Sequence, residues 1–322
     1  MGRIVKGSAK SPPHHDSERR HTLSPDKTTP TFDTHAQIAQ LFVYPVKSCA
    51  GVAVQDAVLT ETGLDLDRAW MVVDTQGGFV SQREMPRLAL VQPKLRHYDI
   101  VLRAPGMLAL HLLIDTVEAA TTARVWDDTV QAFDMGDLAA QWFSDFLAPD
   151  RASPQERPYR LVRFDPEQKR LSNLTWTGGV EAPNQFSDGY PLLVTSTASL
   201  DGLNRRLQAL GHAAVGIERF RPNIVLSGLD EHDEDRIDQM HIDTGAGTVL
   251  LRPVKPCPRC PIPNIDPRTA TSSPQVGDTL QGYRQDARVD GRTTFGMNAI
   301  VLQGTDQQLR VGQVVQGNLR FD

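Results

Sequence analysis

Between residues 37 and 133 the apolar positions come in short β-type runs: Ile38 to Val43, Val52 to Leu59, Ala69 to Val73, Leu88 to Val91, Asp99 to Leu102, Leu108 to Ile114 and Ala123 to Trp126. Turn residues, among them Gly77-Gly78 and Pro105-Gly106, separate the runs, and this spacing predicts a small β-barrel or sandwich. The period then changes. Leu138, Trp142 and Phe146 recur at i, i+4 and i+8, widened by Phe143 and Leu147, which predicts a helix capped by Asp137 whose aromatics pack into a core. The polar, Pro-rich residues 148–158 mark a domain boundary. Beyond it, Leu192 to Thr195 reads as a strand, followed by a helix capped by Ser196 or Thr197, with Leu200, Leu203, Leu207 and Leu210 on one face and Gly211 at its end. Further β runs are Ile224 to Leu226, Thr248 to Leu251, Phe295 to Leu302 and Leu309 to Val315. The expected fold class is mainly β, of the α+β kind.

Residues 1 to 36 hold almost no apolar positions and cannot offset the entropy of ordering, so a disordered tail is expected there, His14 and His15 included. That leaves one domain over residues 37–155 and a second over 156–322. The net charge of -5 and pI near 6.0 argue against a nucleic-acid or polybasic membrane surface. Three cysteines are too few for a disulfide framework. No run reaches the length of a membrane span and the N-terminus lacks an apolar signal core, so no membrane partner and a cytoplasmic location are expected. No G-x-G-x-x-G or Walker loop occurs. The acidic run Asp230 to Asp238 lacks the glycine and terminal glutamate of an EF-hand and reads as a solvated loop, with His232 in it.

The stretch Lys255-Pro256-Cys257-Pro258-Arg259-Cys260-Pro261-Ile262-Pro263 carries the chemistry. Its prolines exclude a helix interior or a central strand, so the thiols are expected on a stiff irregular turn, with Lys255 and Arg259 favouring thiolate. Half of a zinc site, a dithiol redox centre, a single thiolate on a soft metal completed by a cofactor, and two merely structural cysteines are the readings of the spacing alone.

Many segments in order carry a longer likeness: Leu41 to Ser48, Gly63 to Trp70 with Asp67-Arg68, Ser81-Gln82-Arg83 before Pro86-Arg87-Leu88, Phe186 to Pro191, Ala198-Ser199-Leu200, Phe220 to Val225, the cysteine stretch, Phe295-Gly296-Met297-Asn298 and Val311-Gly312. Through them the chain resembles the MOSC family of molybdenum-cofactor proteins, in particular the two-part members typified by the mitochondrial amidoxime-reducing component and its bacterial counterparts. The resemblance implies an N-terminal β-barrel domain followed by a MOSC β-barrel with flanking helices, and molybdenum cofactor held between them. It implies Cys260 as the molybdenum ligand, and Lys47, Ser48, Arg68, Arg221, Asn223 and Arg259 as holders of the cofactor's phosphate and pterin. Asp188 takes the family's position close to the metal, and Arg83 either pairs with Glu84 or lines the substrate entrance. At the family level pyridoxal phosphate binding is also implied.

The implied activity is reduction of small N-hydroxylated substrates (amidoximes, hydroxylamines, hydroxylamino-nucleobases). The sequence ends soon after the barrel, so an external flavin or iron-sulfur protein is expected to supply electrons. A cofactor or sulfur carrier without turnover is the alternative, and a metal-free thiol oxidoreductase a third reading. Pro261 to Asn264 replace a Thr-containing segment of the family.

Overall fold

The computed structural model describes residues 31 to 320 apart from Pro154. The expected tail, with His14 and His15, therefore lies outside the described residues as far as residue 30. The first strand, Thr34–Val43, buries Ala36 and Ile38 in alternation, then Leu41 and Val43. A bulge between Ile38 and Gln40 makes that change of phase possible, because one extra residue returns the next apolar side chains to the same face.

This strand pairs with Ile224–Ser227 on one side and Val314–Leu319 on the other. The sheet runs on through Ile237–Asp243, Thr248–Pro258 and Arg292–Gln303, which pairs with Leu192–Ser196, itself parallel to Ile224–Ser227. The ring so closed is a β-barrel, filled by residues such as Ile38, Leu41, Val194, Leu226, Met240 and Leu251. Its parallel pair needs a crossover, which the helix Thr197–Ala209 provides. Ser196 caps that helix by accepting from the Ser199 N–H, Leu203 and Leu207 are buried, and Gly211 follows at φ 79°. Leu210, expected on the same face, is exposed because the helix ends before it.

The N-terminal β-barrel combines a four-stranded sheet (Trp70–Val73, Arg160–Phe164, Asp128–Asp134, Ala119–Val125) and a three-stranded one (Gln92–Leu95, Asp99–Arg103, Leu110–Leu113). Trp70, Trp142, Phe143 and Phe146 fill its core, the last three from the helix Gly136–Leu147. The expected fold class, with an N-terminal barrel and a second barrel flanked by helices, is the one observed.

Several local expectations give way. Leu88 to Val91 falls mostly in a 3-10 turn, Pro86–Leu90, started by a proline whose missing N–H costs nothing there. Asp137 is not a cap; it lies in the first helical turn and pairs with Arg157 and Arg160, while Leu138 is exposed. The strands Asp128–Asp134 and Arg160–Phe164 escape the apolar pattern because charged or polar residues interrupt it.

The acidic run is not a solvated loop either: Glu234 is fully buried, Ser199 Oγ donates to its Oε2 at 2.8 Å, and Arg284 pairs with Asp235. Burial, reinforced by the Asp235 charge, pushes the Glu234 carboxyl from 4.5 up to about 7. A raised folded value stabilises below the unfolded value and loses that contribution as pH rises through the folded one. Between pH 5 and 8 the parent protein should therefore lose stability relative to Glu234→Gln, with a slope approaching about 1.4 kcal/mol per pH unit near pH 5 to 6. Urea midpoints across that range check it; parallel curves for the two proteins would remove Glu234 as the cause.

Candidate functional site

After Val43 the chain leaves the barrel as Tyr44 to Cys49, which is laced to the segment Asp67 to Trp70. Arg68 N–H donates to Tyr44 O at 2.7 Å, Trp70 N–H to Pro45 O at 3.0 Å, and Lys47 N–H to Trp70 O at 2.7 Å. Ser48 (φ 68°) and Arg68 (φ 52°) take left-handed backbone here, and so does Arg221 (φ 59°), three residues before the strand Ile224–Ser227. Such conformations are uncommon for residues with a Cβ and gather where side chains must be aimed at a site. All three line one pocket.

Lys47, Ser48 and Arg68 reach that pocket from the first half of the chain, and Asp188, Arg221, Asn223, Arg259 and Cys260 from the second. Every candidate named from the sequence is thus brought to one place. Their partners divide them. Lys47, 6 % exposed, donates to Phe186 O (2.8 Å) and Asp188 Oδ1 (2.5 Å). Burial lowers the Lys47 pKa, while Asp188, despite desolvation, is held ionised well below the usual carboxylate range by the Lys47 charge and hydrogen bond. Because the Asp188 side chain is 66 % exposed, solvent screens the pair, and Asp188 presents a carboxylate to the pocket.

Arg68 pairs with Asp67 and donates to Asn223 Oδ1 (3.1 Å) and Arg221 O (3.0 Å). Asn223 in turn accepts from Leu193 N–H (3.1 Å) and donates to Phe42 O (3.2 Å), so these two side chains tie the two halves together beneath the pocket. Arg221 Nη1 donates to Cys49 O at 2.6 Å. Burial and the neighbouring Arg68 charge lower Arg221 to about 10. Burial likewise pushes the Cys49 thiol up to about 12, so it packs as a neutral thiol.

The cysteine stretch corrects one expectation. The strand Thr248–Pro258 runs into it, pairing with Arg292–Gln303 as far as Pro258 opposite Thr294. Its partner on the other side, Ile237–Asp243, stops at Leu251, so Pro253, Pro256 and Pro258 occupy an edge. Register shifts at Pro253/Lys255 and Pro256/Pro258 absorb the lost N–H donors, so Cys257 lies in the strand, whereas Cys260 follows it in irregular backbone before the 3-10 turn Ile262–Asn264. Cys257 and Cys260 are both half-buried. Arg259 Nη1 lies 3.0 Å from Cys257 Sγ and Nη2 donates to Phe220 O at 2.9 Å, whereas its buried Nε has no partner among the described residues.

Arg83 does both things expected of it: it pairs with Glu84 at 3.7 Å and lines the pocket, its guanidinium carbon 4.7 Å from the Trp126 ring centroid. Sequence reasoning missed Phe79, a wall of the pocket, and Arg170, which donates to Gln185 O (3.0 Å) and Ser187 O (2.8 Å) and so holds the loop that carries Asp188. A buried arginine amid polar residues leaves no periodic signal.

The donor set fits a molybdopterin. Lys47, Arg68, Arg83, Arg221 and Arg259 outnumber the single lining carboxylate, Asp188, as a phosphate-bearing group requires, and Cys260 adds a soft sulfur. Among the described residues no cluster of three or more His, Cys, Asp or Glu has metal-holding geometry, so a closed zinc site finds no ligands. Pyridoxal phosphate finds no such support, since the one lysine lining the pocket, Lys47, has its ammonium engaged by Asp188.

Residues 35–150 match the MOSC N-terminal beta barrel domain and residues 181–316 the MOSC domain. Mitochondrial amidoxime-reducing component 1 of Homo sapiens is 36% identical over 257 residues, covering 77% of this chain and 72% of the relative. Mitochondrial amidoxime reducing component 2 of Homo sapiens is 34% identical over 256 residues (77% and 72%), and component 1 of Mus musculus 35% over 258 (77% and 71%). These relatives overturn the expected cytoplasmic location, because each is named as mitochondrial. Few cysteines describe a reducing compartment without saying which one. Among the described residues no helix is long and apolar enough to cross a membrane.

Proposed function

The chain belongs to the family that joins a MOSC N-terminal beta barrel domain to a MOSC domain, and on that premise we propose that it reduces N-hydroxylated small molecules such as amidoximes, hydroxylamines or hydroxylamino-nucleobases. Membership supports a molybdenum-cofactor-linked oxidoreductase in general. The observation that carries the finer reading is the convergence of Cys260, Asp188 and six cofactor-holding candidates on one cation-rich pocket, beside relatives named for amidoxime reduction.

In this reading Cys260 would ligate the metal, and Ser48, Arg221 and Arg259 would hold the phosphate and pterin. Lys47 and Arg68 contribute charge, and Asn223 holds Arg68 in place. When bound, the group supplies two-electron oxygen abstraction. The overall change breaks one N–O bond, consumes two electrons and two protons, and releases an amine or amidine and water. Asp188, ionised, accepts a hydrogen bond and orients an incoming N–OH or water. Phe79 and Tyr190 give the pocket aromatic walls against which the organic part of a substrate can pack. Electrons come from an external flavin or iron-sulfur protein.

Protein from a molybdenum-replete host should contain molybdenum and pterin and reduce benzamidoxime with a chemical electron donor. Absence of both components would sink the enzyme and the carrier together, and tightly held cofactor without turnover would select the carrier.

A further inference from the structure

Two guanidiniums of the pocket, those of Arg68 and Arg221, meet at one aromatic ring. Their central carbons lie 4.3 and 4.4 Å from the centroid of Tyr44, which is 1 % exposed. Only one of the two arginines is neutralised. Arg68 pairs with Asp67, whereas Arg221 has no ion-pair partner among the described residues and spends one donor on the Cys49 carbonyl. A carboxylate beside Arg221 would fix it but cancel its charge. The face of an aromatic ring attracts a guanidinium through its quadrupole and leaves the full positive charge to act on a ligand. The ring also has a built seat: a Cβ at Gly51 would come within 2.5 Å of Tyr44 Cε1 and 2.9 Å of Cδ1, so the absence of a side chain there admits the ring edge. The Tyr44 hydroxyl, by contrast, has no hydrogen-bond partner among the described residues.

We infer that Tyr44 is a positioning residue: its ring, seated against Gly51, holds Arg221 beside Arg68 as an uncompensated cation for the anionic group of the ligand. The inference rests on the pocket being an anion site and is independent of the redox chemistry. It assigns the work to the ring and none to the hydroxyl.

The test uses the full chain made in a host that cannot synthesise the cofactor, with inorganic phosphate as probe, titrated by calorimetry and by the shift in unfolding midpoint. Tyr44→Phe should bind phosphate as the parent does, whereas Tyr44→Leu should bind about thirtyfold more weakly, the scale of a desolvated cation–π contact. Gly51→Ala, which must displace the ring without removing it, should weaken binding in the same direction and keeps the question answerable if Tyr44→Leu fails to fold. Parent-like phosphate affinity in a folded Tyr44→Leu or in Gly51→Ala would overturn the inference, since a purely structural ring changes stability and not anion affinity. So would equal weakening in Tyr44→Phe, which would shift the role to the hydroxyl. No phosphate binding by the parent would instead remove the anion-site reading beneath it.

Discussion

Cys260→Ser should reduce benzamidoxime turnover by about three orders of magnitude or more and strip molybdenum from the purified protein, because an alkoxide is a far poorer ligand than a thiolate for a soft metal. Cys257→Ser should behave differently. Its sulfur lies 3.0 Å from Arg259 Nη1, and a shorter serine hydroxyl keeps an acceptor in that place, so molybdenum content should persist and part of the turnover with it. Metal analysis and turnover on both variants decide the matter. Equal loss of cofactor from the two would contradict a single protein ligand and make the two sulfurs a pair.

The largest expected loss of stability lies away from the thiols. Gly63 sits at φ 109°, a conformation hostile to any Cβ, and a Cβ there would collide with the carbonyl oxygen of Pro191. Backbone cannot give way as a flexible side chain can. Gly63→Ala should therefore cost about 3 kcal/mol or more, the sum of a strained dihedral and a forced displacement. The displaced segment is Asp188 to Pro191, so the Lys47–Asp188 pair should be disturbed as well, and turnover should fall even in protein that still folds. Chemical denaturation against the parent measures the first effect. A variant within about 1 kcal/mol of the parent, a scale typical of a surface substitution, would show that the loop yields freely.

Elements with a clean period are legible in the chain itself. The helix Thr197–Ala209, with its Ser196 cap and Gly211 stop, and the strand Leu192–Ser196 follow from local rules that need no distant partner. Glu234 is not legible in that way: six acidic residues among the nine from 230 to 238 look like a solvated face, and only Ser199 from the crossover helix and Arg284 near the last long strand turn that stretch inward. The prolines of Thr248–Pro258 mislead for the related reason that a strand's tolerance of proline depends on whether a neighbour occupies its other edge.

The pocket divides along the same line. The order of residue types along the chain carries its likeness to the family, and only through that likeness can Cys260, Arg259, Lys47 and Arg221 be named. How each is spent is decided only by the folded arrangement. That Arg68 and Asn223 face each other, that Lys47 holds Asp188 ionised, and that Tyr44 lies against Arg221 depend on residues up to 177 positions apart meeting at contact distance. Sequence pattern encodes the local period and the side-chain inventory, whereas charge compensation and aim are properties of neighbours, and neighbours exist only once the barrel has closed.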